Sequence, residues 1–250
     1  LPELTALEHQ AQAGSSRFLQ DPLSFRFISQ THGAVREAFE TASGIWNAEL
    51  NSCHDNPIIN ALSEEAVSVG NMDTTHMTLG LDYLRLALGR MCDMAGDRIH
   101  KLQWPAFSGL PAGFAEDGAI GGVQFLNMGH IAAAEITSAK IAAQPVILHS
   151  VGQVADGVED TASHALHAVG QLKRLLDAAW TVVTIEIMTA VWALKRRRIA
   201  HQKLGAAIGL LYDEIAPHLP AGREGLEVFD LGPFVDTLRR STLIHRALQA

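Results

Sequence analysis

The chain has 250 residues, 48% of them hydrophobic, with 27 acidic and 19 basic side chains and a formal net charge of -8. That length and apolar share suffice for a sizeable core in one domain, and the acidic balance excludes an extended nucleic-acid surface. Cys53 and Cys92 have neither metal spacing nor the density of a disulfide framework, so a reducing, cytoplasmic setting is expected.

Residues 1 to 19 are rich in Gln, Ser and Ala and read as a short helix and a loop through Gly14-Ser15-Ser16. No apolar run with a cleavage signature opens the chain. It begins at Leu1 rather than at methionine, so preceding residues are expected to have been removed, processed or left out of this sequence. Asp21-Pro22 is a cap or tight-turn signal, and Arg26 offers a planar fork for a carboxylate. Thr31 is the expected cap of a helix running to about Asn51. Its stripe is Val35, Ala38, Phe39, Ala42, Ile45, Trp46 and Glu49, at three- and four-residue steps. Such a rod holds the polar clusters at its ends, 20–26 and 49–57, apart. Pro57 ends it, Ile58-Ile59 extends briefly, and Ser63 to Asn71 reads as loop.

Thr74 or Thr75 opens a second helix with the stripe Met77, Leu81, Leu84, Leu88, Met91 and Met94, whose methionines read as core filler. Gln103 to Gly122 is broken by Pro105, Pro111 and several glycines and reads as loop, a place where function is often carried. A third helix spans about Val123 to Ala143. Pro145 to Gly157 is irregular. Glu159-Asp160 then opens the longest helical pattern, 159–198, with its acids at the favourable end and Lys195 to Arg198 as C-terminal cations. Apolar residues on several of its faces imply burial nearly all round, and Glu186 within the apolar run argues against a membrane span. Shorter helices follow at Gly205–Leu219 and Phe234–Leu248. No long alternating strand pattern appears. The expected fold is all-α, a long-helix bundle in a single domain over 1–250.

Among twelve histidines, the best metal-like set is Glu159, Asp160, His164 and His167, but no catalytic-zinc spacing occurs and no metal is expected. Cys53-His54-Asp55 reads as helix-end chemistry rather than a nucleophile with its base, because adjacent residues on a helix do not face each other.

The clusters Gln20-Asp21-Pro22-x-Ser24-x-Arg26, Glu49-x-Asn51-x-x-x-Asp55-Asn56-Pro57, Gly70-Asn71, Ser108-Gly109-Leu110-Pro111 and Val158-Glu159-Asp160, in this order and spacing, resemble the aromatic amino acid ammonia-lyases, which include histidine and phenylalanine ammonia-lyases. The similarity runs along essentially the whole chain but resembles only the C-terminal half of a typical member. The resemblance implies the C-terminal part of the ammonia-lyase fold, in which four helical bundles associate and each active site draws residues from more than one subunit. By position, Gln20 and Glu159 resemble catalytic residues, and Arg26 resembles the arginine that grips the substrate carboxylate. Leu23 and Met72 fall at substrate-facing positions, while Glu49, Asn51 and Asn71 fall at supporting ones.

In the family an Ala-Ser-Gly tripeptide cyclises to the electrophile 4-methylidene-imidazol-5-one (MIO). Ala42-Ser43-Gly44 lies mid-helix instead, where hydrogen-bonded amides oppose cyclisation. The resemblance therefore implies that MIO is supplied by a partner, an N-terminal-half polypeptide with the cofactor loop, or by a missing N-terminal half of the same protein, and that this chain is inactive alone. It departs from the family pattern at Leu23, where the family has tyrosine, at Met72, where an aromatic residue is usual, and at Val158, where histidine-specific members have glutamine. The expected activity is elimination of ammonia from an amino acid or a derivative within a self-associated tetrameric core. The alternatives are the related aminomutase reaction and a non-catalytic oligomerisation or regulatory subunit. No nucleic-acid or membrane partner is expected.

Overall fold

The structure, a computed structural model, describes residues 19–114, 122–149, 151–219 and 230–242. The expected N-terminal helix and residues 243–250, the end of the last expected helix, lie outside the described residues. Helices dominate: α1 Leu23–Arg26, α2 Ile28–Leu50, α3 Thr75–Gln103, α4 Pro105–Ser108, α5 Gly122–Ala142, α6 Ala165–Arg196, α7 Ala206–Ile215 and α8 Leu231–Arg240. One antiparallel hairpin, β1 Ile58–Asn60 with β2 Glu65–Val67, pairs Ile58 with Val67 and Asn60 with Glu65.

Helix α3 is the centre. It packs on α2, α5 and α6, and α5 packs on α6. Leu84, Leu88, Ala95 and Ile99 of α3 meet Ala132, Ile136 and Ala139 of α5 and Leu175, Val182 and Ile185 of α6. A second cluster joins Met188, Val191 and Trp192 of α6 to Leu110, Phe114, Ile215 and Leu238. The alanines of α5 bring its backbone close to α3, and at Gly89 an added Cβ would lie 2.9 Å from the Cβ of Ala143.

A buried charged clasp fixes the turn after α5. The Asp82 carboxylate accepts from the amides of Val146 (3.0 Å) and Ile147 (3.2 Å). It also pairs with Arg85, whose guanidinium donates to the carbonyls of Ala142 and of Gln144 (3.0 Å). Arg85 thus satisfies carbonyls that the end of a helix leaves unpaired.

Several expectations are corrected. Helix α2 starts at Ile28, not at a Thr31 cap, because the Thr31 amide donates to the Phe27 carbonyl at 2.9 Å. Its stripe divides: Ala38 is buried and Val35 and Ala42 pack on the core, while Phe39 and Trp46 are 59% and 48% exposed. The stretch read as loop at 63–71 contains β2, whose three residues are too few to alternate visibly. The broken stretch 103–122 contains α4 and a short turn at Ala112–Phe114. The longest helix starts at Ala165, not at Glu159. By length and composition α6 could cross a membrane, but 56% of its apolar window is buried inside the bundle. Burial on α6 is less even than expected, since Trp180, Val183 and Ile187 are only partly covered.

Candidate functional site

Gln20, Leu23 and Arg26 belong to one end of the bundle. Pro22 accepts from the amides of Phe25 (3.0 Å) and Arg26 (3.2 Å), and Leu23 accepts from Phe27 at 2.8 Å, which closes α1 as one turn. The Arg26 Nε donates to the Asp21 carbonyl at 2.9 Å. That bond fixes the plane of the exposed guanidinium, and its two Nη groups have no partner among the described residues. Leu23 is 50% exposed and Gln20 is exposed. Phe25 stacks on Phe107 with ring centroids 5.2 Å apart, and Ser24 faces inward.

Glu49 and Asn51 end α2 at the far side. The Asn51 Nδ2 donates to the Asn47 carbonyl at 2.7 Å, and the Ser52 hydroxyl donates to the Glu49 carbonyl at 3.0 Å. The Glu49 carboxylate lies 3.4 Å from His54 Nδ1, while His54 Nε2 faces the Glu49 carbonyl. Both ring nitrogens meet acceptors, so the ring is placed to cap the helix rather than to serve as a base for Cys53. Asn56 Oδ1 accepts from the Val69 amide at 3.0 Å and ties the hairpin to this end. Asn71 and Met72 follow as exposed residues before α3, with Met72 at 54%.

Glu159 joins this second group through its loop, not through a helix. The Thr74 and Ser163 hydroxyls are hydrogen-bonded, which brings the 151–164 loop to the start of α3. Glu159 bridges Val154 in antiparallel fashion, with Val154 N to Glu159 O at 3.0 Å, around the left-handed residues Ala155, Asp156 and Gly157. His164, at φ 57°, separates it from α6. The expected place of Glu159 at a helix N-terminus therefore falls away. The carboxylate is an exposed loop group.

Two groups thus stand at opposite ends of α2. Its 23 residues span about 35 Å at about 1.5 Å per residue. One copy of the chain brings Glu49, Asn51, Asn71, Met72 and Glu159 to one end and leaves Gln20, Leu23 and Arg26 at the other.

The histidines read as a metal-like set turn toward His149 instead, with ring centroids of 6.1 Å to His164 and 5.5 Å to His167. Among the described residues, no group of three or more His, Cys, Asp and Glu side chains could hold a metal. Ala42-Ser43-Gly44 lies within the uninterrupted α2, so its amides are engaged in helical bonds and the tripeptide does not fit the strained loop that cyclisation needs.

Sequence reasoning missed Arg98 and Glu186, which reach the first group from α3 and α6. They pair across 88 positions of sequence, and no local pattern signals such a pair.

A family model described as aromatic amino acid lyase matches residues 3–216. The chain is 31% identical over 176 residues to histidine ammonia-lyase of Symbiobacterium thermophilum, covering 70% of this chain and 34% of that protein. Its fold is similar to that of histidine ammonia-lyase from Trypanosoma cruzi, with TM-score 0.81 at 24% identity over 92% of this chain and 45% of the other. It is also similar to that of tyrosine aminomutase from Streptomyces globisporus, with TM-score 0.81 at 23% identity over 97% and 47%. The chain spans between 34% and 41% of the length of the curated relatives it matches.

Proposed function

This chain belongs to the aromatic amino acid lyase family, and from that premise we propose that it forms part of a composite site for non-hydrolytic elimination of ammonia from an amino acid or a derivative. One observation carries the reading. The site-type residues lie at opposite ends of α2, about 35 Å apart along a 23-residue rod, so a working site needs residues from more than one polypeptide copy. Each end is chemically partial. Arg26 presents to a carboxylate two Nη groups that have no partner among the described residues, with Gln20 six residues before it. The other end presents the Glu159 carboxylate for an imidazole or an ammonium, with Asn71 and Met72 in the segment that leads into α3.

An MIO-type cofactor is typical of this family. In this proposal it comes from a partner polypeptide or an N-terminal half that carries the Ala-Ser-Gly loop, because α2 engages the amides of Ala42-Ser43-Gly44. That group would supply an electrophile for the amine or ring. The residues of this chain would bind and orient: Arg26 fixes the α-carboxylate, and Glu159 and Gln20 hold the reacting end. Glu49 and Asn51 brace the second group through His54 and Asn47. The assembly we propose is a self-associated tetrameric core with that partner, working in the cytoplasm on a small-molecule substrate, with no nucleic acid and no membrane.

Leu23 favours a second reading. Leucine has no proton to donate or transfer where the family has tyrosine, and Met72 offers no ring. Both changes suit an oligomerisation subunit without catalysis. An aminomutase reaction would use the same clamp and differs only in returning ammonia to the β-carbon.

The test is Arg26→Ala in the assembly purified from its own source. A fall in kcat/KM of at least about tenfold, about 1.4 kcal/mol, is expected with the assembly intact. An unchanged rate in an intact assembly supports the subunit without catalysis. Native mass spectrometry of the same sample should reveal a co-purifying chain whose Ala-Ser-Gly loop has lost two waters.

A further inference from the structure

Arg98 is almost fully buried near the C-terminal end of α3, yet it is not spent on the bundle alone. Its Nε and Nη2 both donate to the Glu186 carboxylate of α6, the second at 3.1 Å. That fork-to-fork pairing fixes the guanidinium plane and leaves Nη1 to donate to the Ser24 carbonyl at 3.0 Å. Ser24 is in the middle of α1, two residues before Arg26 and one after Leu23.

Helix α1 has four residues, far below the length at which a helix holds itself, about 12–15 residues. Its orientation must come from outside. The described anchors are the Arg98 bond to Ser24 and the stacking of Phe25 on Phe107. A buried ion pair is poor value for stability, because desolvating two charges offsets most of their attraction. Directional control is what Arg98 adds over an apolar side chain. It ties a backbone carbonyl of α1 to two long helices at once.

We propose that Arg98, held by Glu186, is a positioning residue for substrate binding: it seats α1 so that the Arg26 fork faces the substrate carboxylate. This rests on the reading of Arg26 as the carboxylate clamp. Lysine at 98 keeps the charge but has one ammonium head, which does not reproduce the planar three-nitrogen tie to Glu186 and Ser24.

The test uses Arg98→Lys and Glu186→Gln in the full chain, with whatever polypeptides co-purify, and Arg26→Ala beside them. Hydrogen exchange at the amides of Phe25, Arg26 and Phe27, which close α1, is compared with exchange at Ala139 to Ala143 of the α5 end. L-histidine serves as the carboxylate-bearing probe and imidazole as the probe without one. Exchange in α1 should rise by about tenfold or more with the α5 amides unchanged. L-histidine affinity should fall by about tenfold, with imidazole affinity unmoved. Where turnover is measurable, KM should rise with kcat held.

Unchanged exchange in α1 overturns the proposal, and so does an equal rise in α1 and α5, which marks a general loss of packing. Local loosening with unchanged L-histidine affinity, while Arg26→Ala weakens it, overturns the link from α1 to substrate. If Arg26→Ala itself leaves L-histidine affinity unmoved, the clamp reading fails, and the exchange comparison still decides whether Arg98 seats α1. If the wild-type protein binds neither probe, that comparison alone decides.

Discussion

Cys53 and Cys92 have the same side chain, and their surroundings give them different chemistry. Cys53 is exposed past the end of α2. Cys92 is buried in α3, where desolvation first, then the nearby Glu186 and Asp93 carboxylates, push its thiol up from 9.0 to about 11. A thiol reagent at pH 8 should therefore modify Cys53 quickly and Cys92 only on unfolding, which a timed titration with and without denaturant reads directly. The same shift has a stability consequence. Between about 9 and 11 the native thiol keeps a proton that the unfolded one has lost, so stability falls as pH rises through that window and is fully present below it. The loss is on the order of 3 kcal/mol, measurable as urea midpoints at pH 8.5 and 11. In Cys92→Ala that part of the slope should vanish. Residue-scale reading from sequence was uneven for the same physical reason: it sees chemistry but not surroundings. Arg26 reads as a fork seeking a carboxylate, and its Nη groups have no partner among the described residues. Glu159 was misplaced, because an acidic pair before an apolar run looks like a helix start, whereas the left-handed turn at 155–157 and His164 put a loop there.

At the scale of elements, the α5–α6 connection is held by charge rather than by apolar contact. Asp82 and Arg85 sit one turn apart on α3 and together satisfy two amides and two carbonyls of the turn at 142–147. Asp82→Ala removes one partner and leaves Arg85 buried without its carboxylate, a change that costs about 3–5 kcal/mol. For a chain of this size that is a melting-point drop on the order of 10 °C. A double variant, Asp82→Leu with Arg85→Met, should recover part of the loss, since it removes the stranded charge. Thermal unfolding followed by circular dichroism separates the two. If the single change leaves the melting point within about 2 °C, the clasp contributes little. The start of α3 at Thr75 was legible because its long apolar stripe has the helical period. The clasp was not, since it joins positions more than fifty residues apart. The hairpin was hidden by brevity, as three-residue strands have no room for alternation.

At the scale of the whole molecule, the bundle leaves apolar surface that the described residues do not cover. Phe39, Trp46 and Leu50 are exposed on α2 at steps of seven and four, which places them on one face. Leu79, Tyr83 and Leu86 are exposed on α3 at steps of four and three. The helices are adjacent, and contiguous apolar patches of this kind mark association surfaces. This second arrangement bears on the divided site. The end carrying Arg26 and the end carrying Glu49 and Asn71 can meet only if another polypeptide lies alongside α2. The proposed self-association and composite site therefore stand together. Phe39→Asp places a charge in the middle of the α2 face without touching either end. Sedimentation velocity should show the oligomer shifting toward smaller species, with the dissociation constant raised by about tenfold or more and helical content unchanged. The Arg26-dependent loss of turnover should then be masked, because a dissociated chain has no completed site to lose. Should Phe39→Asp leave both the oligomer and turnover as they were, the α2 face is not what brings the two ends together, and the α3 face of Leu79, Tyr83 and Leu86 becomes the surface to charge next.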